Sequence, residues 1–129
     1  IYSAIKILEQ NNFDIIILDL FLPDSYGLNS LYQIKLFAPE TPIIILTSID
    51  NKKNALKALS QGAQDYLIKE RLHKDLLLRS ILYAIKRNQL RLEIENKLNE
   101  VNILKTRLEY ILQSTPAIIY IKNYHTNHF

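Results

Sequence analysis

The sequence contains no cysteine, no methionine and no tryptophan, and only two glycines among 129 residues. Without cysteine there are no disulfides and no thiolate metal sites, which is compatible with a reducing compartment. Without methionine, a chain that opens Ile1-Tyr2-Ser3-Ala4 is expected to have been processed or cut from something longer. Gly27 and Gly62 lie in neither a phosphate-cradling loop nor a nucleophile elbow, both of which need glycines at fixed offsets. That counts against a small α/β hydrolase or a nucleotide-binding fragment. No apolar run approaches the roughly 20 residues of a membrane span, and no positively charged leader precedes a short apolar segment. The expected setting is the cytoplasm, with no membrane partner. An excess of one charge is missing too: the formal net charge is +3, and Lys and Arg alternate with Asp and Glu, so bulk electrostatics names no partner.

What is present is enough apolar surface to fold. Hydrophobic residues make up 48% of the chain and charged residues 22%, a globular balance rather than a disordered one. The length suits one ordinary domain of about 100–150 residues, or one truncated domain with an appendage.

Ile1, Ala4, Ile5 and Leu8 fall at helical spacing, and Asn11-Asn12 supplies a stop. Phe13 to Asp19 follows as a β-branched run without alternation, the pattern of a strand covered on both faces and hence of a parallel sheet. After a loop with Leu22-Pro23-Asp24 and Gly27, Leu28, Leu31, Ile34 and Phe37 mark a second helix, which Pro39 and Pro42 end. Ile43 to Thr47 is a second buried strand. Ala55, Leu56, Ala58 and Leu59 give another helix, with Gly62 where a left-handed cap is wanted. Asp65 to Lys69 reads as a third strand. This alternation predicts α/β architecture with crossovers on both faces. From Leu72 there is no glycine or proline until Pro116, and the apolar recurrence predicts one long helix. Its later part keeps a seam of Ile94, Leu98, Val101, Leu108 and Leu112, with Lys105 in the missing position, so a second helix is the expected cover.

In parallel α/β sheets reactive groups gather at the carboxyl ends of the strands. The last polar residues of the three strands are Asp19, Thr47 and Lys69. A carboxylate, a hydroxyl and an ammonium converging there would suit phosphorylation of aspartate: the carboxylate attacks phosphorus, while the ammonium and the hydroxyl bind phosphoryl oxygens.

The segments FDIIILDLFLPDSYGL, PIIILTS and GAQDYLIK resemble three successive signature segments of the response-regulator receiver family, in its order and at its spacing. The resemblance covers about the first two-thirds of the chain and implies a partial flavodoxin-like parallel sheet with flanking helices, extended by the C-terminal helix. It implies that Asp19 is the phosphoacceptor, Thr47 the switch hydroxyl, Lys69 the phosphate-pairing lysine and Tyr66 an aromatic that turns inward on activation. It also implies Mg²⁺ in the intact parent, held by Asp19 and the backbone carbonyl of Phe21 together with acidic ligands that this chain does not carry. The expected partner is a sensor histidine kinase or phosphotransfer protein. The family's first strand, first helix and second strand do not precede Ile1, and Glu70 stands where the family usually has proline. Residues 1–82 are thus expected to form a truncated receiver, and 83–113 a helical coiled-coil connector that makes a homodimer. LEYILQSTPAIIYIKN resembles the entry into a PAS domain, which places the start of such a domain at 114–129.

Simpler readings exist for each residue. Asp19, Thr47 and Lys69 taken singly are an ordinary strand end, strand former and surface lysine. Tyr66 could simply pack against the last helix, and Asp24 shapes a turn. His125 and His128 lack the further ligands that zinc needs and are expected in a tail. Lys86, Arg87 and Arg91 are followed by Glu93 and Glu95 without a helix-turn-helix, so they read as a solvated helix face, and nucleic acid is not an expected partner. The main rival is a degenerate receiver that binds proteins or dimerises without carrying phosphate. Receivers are phosphoacceptors rather than conventional enzymes, and an enzymatic output would lie beyond this chain.

Overall fold

The computed structural model describes residues 1–48 and 50–114, with Tyr26 described by its backbone alone. Residues 1–91 form one compact unit and a second begins at Leu92. The segment expected to open a PAS domain, with its two histidines, lies outside the described residues except for Ser114.

Helix α1 spans Tyr2–Gln10, followed by strand β1 at Ile16–Leu18. The stop at Asn11 is reinforced by its side-chain amide, which donates to the Ile7 carbonyl at 3.0 Å. Two short strands, β2 (Phe21–Leu22) and β3 (Ser25–Tyr26), pair antiparallel around Pro23-Asp24. Sequence patterning predicts only a loop there, because two-residue strands are too short to show a period. Helix α2 (Leu28–Phe37), strand β4 (Ile43–Thr47), helix α3 (Lys52–Ser60) and strand β5 (Asp65–Ile68) follow. A 3₁₀ turn at Lys69–Arg71 leads into α4, Lys74–Ser114.

The main sheet is parallel, in the order β1-β4-β5. Strand β4 sits in the middle, which explains its unbroken apolar run. Ile43 and Ile45 enter a core with Leu18, Leu20, Leu31, Ile34 and Ala58, while Ile44 on the opposite face packs with Leu67 and Ala84 of α4. Ile43, Ile44 and Ile45 are each at most 1% exposed, and burying one such side chain is worth about 1.5–3 kcal/mol. Strand β1 is an edge among the described residues, and Ile17 stands exposed on it.

Crossovers are closed by local chemistry. Asn51 caps α3 by accepting from the Lys53 and Asn54 amides at 3.0 and 3.2 Å, an arrangement worth about 1 kcal/mol. Gly62 takes φ 95° just beyond that helix and donates to the Leu59 carbonyl at 3.0 Å, the left-handed cap expected from the sequence.

The first part of α4 lies on the sheet through a stripe of small and polar residues, Ser80, Ala84 and Asn88, which are its buried positions. Ser80 Oγ donates to Asp65 Oδ2 at 2.7 Å, Arg87 donates to the Gln64 carbonyl at 3.0 Å, and Asn88 Nδ2 donates to the Glu40 carbonyl at 2.6 Å. Arg91 in turn donates to Asn88 Oδ1 at 3.0 Å. Two residues expected on a merely solvated basic face, Arg87 and Arg91, therefore have intramolecular partners: a loop carbonyl comes within reach of Arg87, and Arg91 meets the side chain of Asn88 one turn back on the same helix.

Candidate functional site

Strand β1 ends one residue before Asp19 and β5 one residue before Lys69, while Thr47 is the last residue of β4 between them. Parallel pairing puts all three at the same rim. Lys69 Nζ donates to Asp19 Oδ2 at 2.6 Å, closing the distance across the end of β4. The other carboxylate oxygen, Oδ1, accepts the Phe21 amide at 3.0 Å. Glu70 in the proline position is accommodated by the 3₁₀ turn, and Lys69 still meets Asp19.

Burial pulls the Asp19 carboxyl upward, but the Lys69 hydrogen bond, the Phe21 amide, the Lys69 charge and the Leu20 amide together outweigh it. Its pKa therefore lies below the ordinary carboxylate value, and the group is an anion at neutral pH. With about a quarter of its side chain exposed, the carboxylate is both charged and reachable.

Thr47 is fully buried. Its hydroxyl shares a hydrogen bond with Tyr66, one strand over on β5. Burial raises the Tyr66 pKa first, the negative charge of Asp50 raises it further, and the bond with Thr47 opposes both. Tyr66 also packs against the core cluster that holds Ile43 and Ile45. The expected residues thus form two linked pairs, Asp19 with Lys69 and Thr47 with Tyr66. Asp50, which sequence patterning passed over, belongs to the same rim. It pairs with Arg71 at 2.7 Å, tying the loop after β4 to the turn after β5. No motif flags it, because both partners are surface residues in connecting segments.

Asp24 turns the β2–β3 hairpin, as its Pro-Asp context suggests. Among the described residues no group of three acidic or histidine side chains is placed to hold a metal ion. Mg²⁺ asks for near-octahedral oxygen ligation, and Asp19, with its two oxygens already engaged by Lys69 and Phe21, does not meet that demand with the neighbours described. Among the same residues no helix is long and apolar enough to cross a membrane.

Residues 1–81 match the response regulator receiver domain family. The regulatory protein LuxO of Vibrio cholerae is 36% identical over 96 residues, which are 74% of this chain and 21% of LuxO. The chain therefore spans about a fifth of that relative's length. A CheY-like receiver domain from Methanospirillum hungatei JF-1 superposes with a TM-score of 0.62 at 22% identity, covering 70% of this chain and 71% of that one. The beryllofluoride-activated NtrC4 receiver domain, solved as a dimer, gives a TM-score of 0.62 at 29% identity, covering 67% of this chain and 71% of that one.

Proposed function

Because the chain belongs to the response regulator receiver domain family, we propose that it takes up a phosphoryl group on Asp19 from a phosphohistidine of a sensor kinase or phosphotransfer protein. The observation that carries this reading is the contact of Lys69 Nζ with Asp19 Oδ2 at 2.6 Å at the rim where Thr47 also ends its strand. A carboxylate oxygen of Asp19 attacks phosphorus as the phosphorus–nitrogen bond of the donor breaks. The acyl phosphate carries about −1.5 to −2 of charge where the carboxylate carried −1. Lys69, already paired with the carboxylate, then pairs with a phosphoryl oxygen, and Thr47 turns its hydroxyl from Tyr66 toward another.

Mg²⁺, when bound in the family manner, would neutralise phosphoryl charge. Its ligands would be Asp19, the Phe21 carbonyl and acidic groups not among the described residues. Loss of the Thr47 bond would release Tyr66, and the loop tied by Asp50 and Arg71 would move with it. Helix α4, fastened to the same sheet by Ser80, Arg87 and Asn88, would carry the change into a homodimeric connector. The setting proposed is the cytoplasm, where such kinases present their phosphohistidine, and the segment beyond Ser114 is proposed to begin a PAS domain.

The test is phosphoryl labelling in the full-length protein with phosphodonor and Mg²⁺. Label on the native protein and none on Asp19→Asn is the expected result. Equal label on both removes Asp19 from the role, and label on neither favours the rival, a receiver that acts only by binding proteins.

A further inference from the structure

The second unit, from Leu92, exposes a continuous apolar stripe along α4. Val101 and Ile94 are 59% exposed, Leu104 63% and Ile111 52%. Solvent-facing side chains of this size on successive turns need a cover. Ile94, Val101 and Leu108 repeat at seven residues and form one row of any seam. The second row is either Leu98, Lys105 and Leu112 or Lys97, Leu104 and Ile111. Each choice contains one lysine, so apolar count does not decide between them.

Two other properties bear on the choice. With Lys97, Leu104 and Ile111 as the second row, β-branched Ile94 and Val101 fall at the a positions and Leu104 at d, the assignment that favours two parallel strands. The other row puts the β-branched residues at d, which does not. Leu108 at a and Ile111 at d reverse the first assignment in the last turns, so the charge pairing decides. In the first register Glu100 occupies a g position and Lys105 the following e position. Across a parallel, in-register pair of identical helices, Glu100 of each chain faces Lys105 of the other, giving two symmetric attractive pairs. In the second register the corresponding neighbours are Lys97 with Asn102 and Leu104 with Glu109, and no opposite charges meet.

We infer that α4 pairs with the same helix of a second copy of this chain, parallel and in register, through Ile94, Lys97, Val101, Leu104, Leu108 and Ile111. The inference rests on the proposed homodimeric connector and adds its orientation and seam. Lys97 is the polar seam residue, which costs stability and discourages slipped alignments.

The absence of cysteine makes the test clean, since one introduced thiol is the only thiol. Under mild oxidation Leu104→Cys should form disulfide-linked dimers, while Leu98→Cys, off the seam, should not. Sedimentation of the unmodified chain reports dimerisation separately. Lys105→Glu should weaken the dimer by about tenfold, and the double exchange Glu100→Lys with Lys105→Glu should restore it. Lys97→Leu should tighten it. A dimer in which Leu98→Cys links and Leu104→Cys does not overturns the seam and leaves the dimer standing. A monomer at all concentrations overturns both, and neither outcome bears on phosphorylation of Asp19.

Discussion

Lys69 holds its ammonium 2.6 Å from Asp19 Oδ2 although fifty residues separate the two along the chain. Only the parallel order β1-β4-β5 brings those strand ends together. In the proposed phosphorylation of Asp19, the contact poises the lysine where charge develops on the phosphoryl group. Replacing Lys69 with Ala should therefore slow labelling of Asp19 by about 10²–10³, the usual effect of removing one preorganised donor. Lys69→Arg should recover part of the rate, since the charge remains but the guanidinium is broader. Labelling time courses on the three proteins check this, and an unchanged rate in Lys69→Ala would leave the lysine a structural role only.

The state of the Asp19 carboxyl follows from the same contact. Burial raises its pKa while Lys69 and the Phe21 and Leu20 amides lower it, with a net fall from the ordinary 3.8. A carboxylate with a depressed folded-state pKa stabilises the fold above its unfolded pKa, and that contribution is lost as pH falls through the folded value. Carbon-detected NMR titration should find the Asp19 midpoint below 3.8. In Lys69→Ala the midpoint should rise, because the two lysine contributions vanish and burial remains. A midpoint that does not move would show that Lys69 is not the group holding the carboxyl ionised.

Much of the rim was readable from residue order because parallel strands buried on both faces leave an unmistakable mark. Ile43 to Thr47 is the observed β4 without adjustment. The run from Phe13 to Asp19 overestimates β1, which keeps only Ile16–Leu18, since apolar character continues past the paired residues. The Thr47–Tyr66 bond was not legible, because alternation says which face a side chain takes and not which rotamer. Which residues of α4 face the sheet was not legible either. Leu76 and Ile81 pack against the cluster of Ile44, Leu67 and Ala84, but the buried positions of the helix are Ser80, Ala84 and Asn88. Where a helix approaches a sheet closely, small side chains and satisfied polar groups take the centre of the contact and apolar side chains flank it.

Tyr66 gives a second, alkaline titration. Its pKa is raised above the ordinary 10.0 by burial and then by Asp50, against the pull of Thr47. A group whose folded pKa is raised contributes stability fully below its unfolded pKa and loses it as pH rises through the folded value. The difference in tyrosinate absorbance between the native chain and Tyr66→Phe isolates this residue from the other seven tyrosines, eight being present in all. Its midpoint should lie above 10.0 and fall in Asp50→Asn, where one negative charge is gone. Thr47→Val should shift it further up and cost about 0.5–1.5 kcal/mol of stability by urea unfolding, the net worth of one hydrogen bond. A lower midpoint in Thr47→Val would mean that the bond does not favour the ionised form.

Ala84 tests how closely α4 is held. It is fully buried and packs with Ile44 of β4 and Leu67 of β5, so no room remains for three further carbons. Ala84→Leu should lower unfolding free energy by about 1–3 kcal/mol through overpacking, despite adding apolar surface. If the helix could drift outward to accept the leucine, the loss would be smaller, but drift would break the bonds of Ser80 to Asp65 and Asn88 to the Glu40 carbonyl one turn to either side. Both routes cost stability, which is why the sign is firm. Urea unfolding of Ala84→Leu beside Ala84→Gly checks this: glycine removes one buried methyl and adds helix disorder without overpacking, for a loss of about 1–2 kcal/mol. Leucine as stable as alanine would mean that the polar anchors do not hold this turn of the helix against the sheet.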